Sequence, residues 1–207
     1  MIDISRSYYF EHWVSEITLR GQVRAVGSRA DENTMTMHSI SFEHEVVDPR
    51  HLRNALGRFA TGVTVITTRT VDGKLEGLTA NSFSAVSLDP PLVLWSLRQN
   101  APSLKNFQNA GYFAVSVLAA DQSHLSRHFA TPAEDKFATI AHGSGLGGCP
   151  VLHDVLASFE CSTEHTVVGG DHIIFIGRVH RATYRDGEPL IFSAGRYCTH
   201  SALADGV

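Results

Sequence analysis

Gly77-Leu78-Thr79-Ala80-Asn81-Ser82-Phe83-Ser84-Ala85-Val86-Ser87-Leu88-Asp89-Pro90-Pro91 is the stretch on which the reading of the fold turns. Thr79, Asn81, Ser82, Ser84, Ser87 and Asp89 carry a hydroxyl, an amide or a carboxylate, yet the run lies between two apolar, strand-like segments. Val63-Thr64-Val65-Ile66-Thr67 precedes it and Leu92-Val93-Leu94-Trp95 follows. A buried hydroxyl or amide without a partner costs about 1–3 kcal/mol, so such residues are poor material for a core. Taken by itself the run is a polar loop between strands. Flanked by core strands, it predicts a polar wall facing a cavity.

Outward from this stretch, the chain reads as many short strands with small helices among them. Asp48-Pro49 suits a helix start, and Leu52, Ala55, Leu56 and Phe59 recur on one face until Gly62. Val63–Thr68 is β-branched, and Val71-Asp72-Gly73 is turn chemistry leading into the polar run. Ser84–Leu88 and Leu92–Leu97 are expected strands, parted by Asp89-Pro90-Pro91. Pro102–Asn109 and Ala120–Phe129 are expected helices, with the strand Tyr112–Leu118 between them. Leu156–Val167, His172–Tyr184 and Leu190–Phe192 complete the strand-like runs. The pattern favours an antiparallel β-barrel with peripheral helices.

The 207 residues suit one principal domain, and a net charge of −4 gives no basic field for nucleic acid or an anionic membrane. Cys149, Cys161 and Cys198 are odd in number and lack CxxC spacing, which argues for a reducing cytoplasm over a disulfide framework. No apolar run approaches the ~20 residues of a membrane span, and no signal peptide is evident. Residues 1–47 read as an extension. Phe10, Trp13, Val14 and Ile17 fit an amphipathic helix, Gly21–His38 looks like linker, and Met35 or Met37 is a candidate start. Residues 48–200 form the expected core domain and 201–207 a tail.

Gly143-Ser144-Gly145-Leu146-Gly147-Gly148 satisfies GxGxxG formally, but no good strand precedes it and Cys149-Pro150 closes it where a helix should open. It is expected to be a surface loop. There is no GxSxG elbow, His44-Glu45-Val46-Val47-Asp48 falls short of HExxH, and no histidines show zinc-ligand spacing, so no metal site is expected. Gly169-Gly170-Asp171-His172 joins two long strands. It is hairpin chemistry on one reading, with His172 a strand-end structural residue, and a ligand-facing turn on the other.

Gly77–Phe83 followed by Ser87-Leu88-Asp89-Pro90-Pro91-Leu92-Val93 resembles the signature of the short-chain flavin reductases, the NAD(P)H-dependent partners of two-component monooxygenases. Gly170-Asp171-His172 with Gly177 and Val179 resembles their second signature. Arg58–Val65, Phe129-Ala130, Asp135-Lys136-Phe137 and Pro150-Val151-Leu152 match in the same order, so the resemblance covers about residues 50–200. It implies a mainly β fold, an antiparallel split β-barrel of the FMN-binding type with short peripheral α-helices, acting as a cytoplasmic homodimer. It implies FMN or FAD as cofactor and NADH or NADPH as co-substrate. Thr79, Ala80, Asn81 and Ser82 would meet the flavin ring, and Ser96, Leu97, Asn100, Ser103 and Leu104 its ribityl and phosphate side. Arg127, Phe129, Lys136 and Tyr197 join the implied cofactor-binding set, with Arg98 and Lys105 as further cations in the vicinity.

His172 is the implied catalytic residue, placed near the nicotinamide, with Tyr197 a second candidate there. Hydride would pass from nicotinamide to flavin, and reduced flavin would leave for a separate oxygenase component. Two alternatives stand beside this reading. One is a flavin- or haem-binding split-barrel module without NADH turnover; the other is a flavin-dependent reductase of ferric iron or a corrinoid.

Overall fold

The computed structural model describes residues 37–41 and 48–201. The expected helix at Phe10–Ile17, the linker reading of residues 21–36 and nearly all of the C-terminal tail lie outside these. Asp48 accepts a hydrogen bond from the Arg50 N–H and Pro49 occupies the first turn of helix α1 (Pro49–Leu56), as the capping signal predicted. The helix stops at Gly57, not at Gly62, which instead enters strand β1 (Thr61–Gly62). Its expected core face is uncovered by the rest of the described chain. None of its residues is buried, and Leu52 and Leu56 are 41% and 46% exposed.

Seven strands form one antiparallel sheet: β2 (Thr64–Arg69), β3 (Leu75–Ala80), β4 (Ser84–Leu88), β5 (Pro91–Arg98), β6 (Tyr112–Val117), β9 (Ala157–Gly169) and β10 (His172–Tyr184), in the order β3-β2-β6-β9-β10-β5-β4. The first half of the polar run is thus strand, because Gly77 and Leu78 pair with Thr67 and Ile66 and only Asn81–Phe83 leave the ladder. A hairpin of β7 (His142–Ser144) and β8 (Pro150–Leu152), and a small sheet of β1, β11 (Ile191–Ser193) and β12 (Arg196–Cys198), lie outside the main sheet. Helix α2 (Leu104–Ala110) links β5 to β6, and α3 (Ser123–Ala130) follows a 3-10 turn at Ala120–Gln122.

The GxGxxG segment is the connection between β7 and β8, turning through Gly147 and Gly148 at positive φ. No helix follows it, and buried Glu160 anchors it by accepting the Leu146 N–H at 2.6 Å.

The sheet is curled. In a flat sheet β3 and β5, five strand spacings apart, would be about 24 Å from each other. Instead Leu78 and Ala80 of β3 share one core cluster with Val93, Trp95 and Leu97 of β5. Where a ladder would close the barrel, the Ser82 hydroxyl accepts the Ser96 N–H at 2.9 Å and donates to the Ser96 carbonyl at 3.2 Å. This is the split barrel, its open side drawn together by a serine.

Trp95 stacks on Phe175 at 4.5 Å between ring centroids and meets Phe107 and Phe113 edge-on, filling the interior. Gly177 lets the wall approach them, because a Cβ there would lie 2.2 Å from the Phe113 ring. A second cluster, with Val63, Val65, Phe129, Phe137 and Phe192, packs α3 and the small sheet against the outer face.

Candidate functional site

Thr79, Ala80 and Ser82 of the polar run are buried, so fewer of its hydroxyls than expected are available to a ligand. Thr79 is fully buried and donates to the Ser126 carbonyl of α3 at 2.6 Å, so its side chain fastens β3 to the helix. Ala80 is buried, and its carbonyl accepts from Thr64 at 2.8 Å. Ser82 is committed to Ser96. Asn81 is different. Its Oδ1 is sealed from solvent and has no hydrogen-bond partner. A buried carbonyl oxygen without a partner costs free energy, so Asn81 is the residue of the run whose side chain has bonding capacity left unused. Because β3 is an edge strand, half of its backbone N–H and C=O groups are also turned away from β2.

Around this wall α3 and β12 form a second polar network. The Ser126 hydroxyl bonds to the Tyr197 hydroxyl at 2.8 Å, and the Arg127 guanidinium lies 5.2 Å from the Tyr197 ring centroid. Lys136 donates to the carbonyls of Gly77 at 3.1 Å and Phe129 at 2.7 Å, clipping β3 to the end of α3. The Phe129 ring is wholly buried in the outer cluster and presses on Gly77, where a Cβ would meet it at 2.7 Å. It shapes the wall from behind and offers a ligand no ring surface. Leu97 is likewise a core side chain, 1% exposed, and Leu104 packs half-buried against the same cluster.

The other implied residues gather at the far end of β5. Strand register sets Ser96 opposite Ile174, Leu97 opposite Ile173 and Arg98 opposite His172. Arg98, Gln99, Asn100, Gly170 and Asp171 line a cleft of about 200 Å³. Gln99 holds the turn, donating its backbone N–H to the Asp171 carbonyl at 2.9 Å and its side-chain amide to the Gly170 carbonyl at 2.8 Å. Gly170, at φ +63, supplies the turn geometry.

His172 Nδ1 lies 2.7 Å from Asp171 Oδ1, with the imidazole 15% exposed. That hydrogen bond, with the Arg98 charge nearby, holds the Asp171 carboxyl below its ordinary range. The Nε of Arg98 is likewise buried without a partner. Ser103 starts α2 without capping it through its side chain.

Sequence reasoning passed over Gln99, whose role depends on a contact 71 residues away and leaves no local signal. Arg98 was legible only as a cation in the vicinity. Its orphaned Nε is a property of the fold.

The donor set fits a flavin and a nicotinamide nucleotide. Unpartnered buried polar atoms of Asn81 and Arg98 lie close in sequence to the Ser82–Ser96 seam, and no carboxylate lies among the wall residues 77–84.

Residues 56–201 match the family model described as "Flavin reductase like domain". The FMN reductase (NADH) SmoA of Agrobacterium fabrum is 47% identical over 148 residues, covering 72% of this chain and 84% of that protein. The reductase component of a flavin-dependent trigonelline monooxygenase from Acinetobacter baylyi is 42% identical over 150 residues, covering 72% of this chain. Against that relative and one from Rhizobium meliloti, this chain spans about half of the relative's length. Among solved structures, the Streptomyces globisporus NADH:FAD oxidoreductase SgcE6, in complex with NAD and FAD fragments, superposes with a TM-score of 0.72. It is 40% identical and covers 78% of this chain and all of that one.

Proposed function

This chain belongs to the flavin reductase-like family, and from that premise we propose that it is an NAD(P)H:flavin oxidoreductase whose catalytic domain is residues 48–200. The observation that carries the reading is the β5–β10 register. It puts the flavin-side residue Ser96 and the nicotinamide-side residue His172 at neighbouring positions of one strand pair, two residues apart along β5. Through the Ser82–Ser96 hydrogen bonds this strand pair adjoins residues of both signatures.

Bound flavin supplies the hydride acceptor and the nicotinamide nucleotide the donor. Asn81, whose Oδ1 has no partner in the protein, and the outward backbone groups of β3 would hold the polar edge of the ring. The Ser82–Ser96 clasp fixes the wall on which the ring lies. Arg98, Asn100 and Ser103 receive the ribityl-phosphate side, and Arg127 stacked on Tyr197 bounds the opposite end. His172 orients the nicotinamide over the wall. The chemistry needs positioning more than proton transfer, which suits a site whose described residues show no acid–base pair aimed at a common point.

We further propose a homodimer. Leu52, Leu56 and Phe59 of the α1 region and Val86 and Leu88 of edge strand β4 are apolar and uncovered by the described chain. A second copy would bury them beside the flavin wall. Transfer of reduced flavin to a separate oxygenase follows from the relatives' roles as reductase components, and the absence of any described helix long and apolar enough to cross a membrane is compatible with a cytoplasmic setting.

The test is oxidation of NADH and NADPH with FMN, FAD and riboflavin in turn. Flavin-dependent oxidation above the flavin-only background is expected for at least one pair. No oxidation with any pair would leave the non-catalytic binding module as the better reading.

A further inference from the structure

We propose that Asp171 is a positioning residue that fixes the tautomer of His172, so that the ring presents the Nε2 lone pair to an N–H of the nicotinamide carboxamide. The inference rests on the reading that nicotinamide binds at this turn.

Asp171 Oδ1 and His172 Nδ1 are 2.7 Å apart, a charge-assisted hydrogen-bond distance. An ionised carboxylate can only accept, so the proton in this bond sits on Nδ1. The bond itself, with the Arg98 charge nearby, holds the carboxyl below its ordinary range. In the neutral ring Nε2 is then a bare acceptor. A free imidazole prefers the opposite tautomer, so the carboxylate reverses the intrinsic choice.

The backbone of the turn is held in place, while the Asp171 side chain itself is 80% exposed. Gln99 pins the backbone of Gly170 and Asp171 through two hydrogen bonds, and His172 is already in the β5–β10 ladder opposite Arg98. Nε2 makes no hydrogen bond among the described residues. Its ligand must therefore bring a donor. A phosphate oxygen does not meet that need in the neutral ring, and the carboxamide –NH₂ does. Hydrogen bonding of this kind discriminates by what the ligand lacks, since a bare acceptor facing a methyl group loses its only partner.

The experiment compares NADH with its 3-acetylpyridine analogue, in which the carboxamide –NH₂ is replaced by methyl, in the full-length wild type, Asp171→Ala and His172→Ala. KM for the analogue is expected to exceed that for NADH by about three- to ten-fold in the wild type, the value of one neutral hydrogen bond. Asp171→Ala is expected to raise KM for NADH and bring that ratio close to one, as His172→Ala does, while flavin affinity stays at the wild-type value.

Nitrogen-15 correlation spectra, with His172 assigned by its loss in His172→Ala, read the tautomer directly. They should show Nδ1–H in the wild type and Nε2–H in Asp171→Ala. A wild-type ring protonated at Nε2, a wild-type KM ratio of one, or an undiminished ratio in Asp171→Ala each overturns the proposal. If the wild type oxidises no NADH at all, the reductase reading is what fails, and the spectrum still decides the tautomer. If Asp171→Ala does not fold, the wild-type spectrum and ratio are sufficient to decide it.

Discussion

At the scale of single residues, the proposed site divides its labour between Asn81 and His172. Asn81→Ala removes an acceptor with no partner in the protein alone. Thermal stability without ligand should therefore hold or rise, while flavin affinity, read by fluorescence quenching, should fall about three- to ten-fold. His172→Ala should do the converse, raising the nucleotide KM while flavin affinity stays within about two-fold. If His172→Ala abolished flavin binding and left the nucleotide KM alone, the division would be wrong. Away from the site, Gly177→Ala would drive a Cβ to 2.2 Å from the Phe113 ring. Overpacking of this kind should cost about 1–3 kcal/mol by denaturant unfolding. The cysteines should differ as sharply. Cys198 is exposed, whereas burial, reinforced by Cys149 and Glu160, pushes the Cys161 thiol up to about 12. Iodoacetamide at neutral pH should label Cys198 and spare Cys149 and Cys161 until the fold is opened, as peptide mass mapping would show. Because the Cys161 value is raised on folding, its contribution to stability is complete below about pH 9 and is lost between there and about pH 12.

At the scale of elements, the long β9–β10 hairpin carries a two-pronged ion pair. Arg178 donates to Glu164 at 2.9 and 2.7 Å and holds that carboxyl below its ordinary value of 4.5. A depressed carboxyl stabilises the fold above its unfolded value and stops doing so as the pH falls through its folded one. Glu164→Gln should therefore lower stability modestly at neutral pH and leave it nearly unchanged in strong acid, flattening the acid limb of a stability-against-pH curve, the loss being small because the pair is only part-buried. These elements were largely legible in the sequence, because β-branched runs, Asp48-Pro49 and Gly169-Gly170-Asp171 are local signals. The face of α1 was misjudged for a physical reason. Periodicity shows that Leu52, Leu56 and Phe59 form a stripe, but not whether their cover comes from the same chain. The Thr79 hydroxyl and the Phe129 ring were read as ligand-facing for a similar reason. A residue type shows which bonds a side chain can make, and only the packing of α3 on β3 shows that Ser126 and Gly77 already claim them. β12 was missed because three residues give no periodicity to read.

At the scale of the whole molecule, the proposed homodimer predicts that stability depends on association through the uncovered apolar stripe and edge strand. The midpoint of thermal unfolding should rise with protein concentration, and Leu52→Glu combined with Leu56→Glu should shift the protein toward monomer in sedimentation while weakening flavin binding. A monomeric wild type at micromolar concentration would count against the dimer. A chain beginning at Met37 should keep its activity, and loss of folding on that truncation would give the extension a place in the core. The serine that draws β3 to β5 has a dynamic consequence as well. Elsewhere in the main sheet, neighbouring strands hold each other by backbone ladders, whose rupture would resemble global unfolding. Between Ser82 and Ser96 only one hydroxyl must let go. Opening along that line also needs Leu78 and Ala80 to part from Val93, Trp95 and Leu97, and the Ser96 amide, exchanging with deuterium faster than its neighbours in β5 and slowing when flavin is bound, would time each opening.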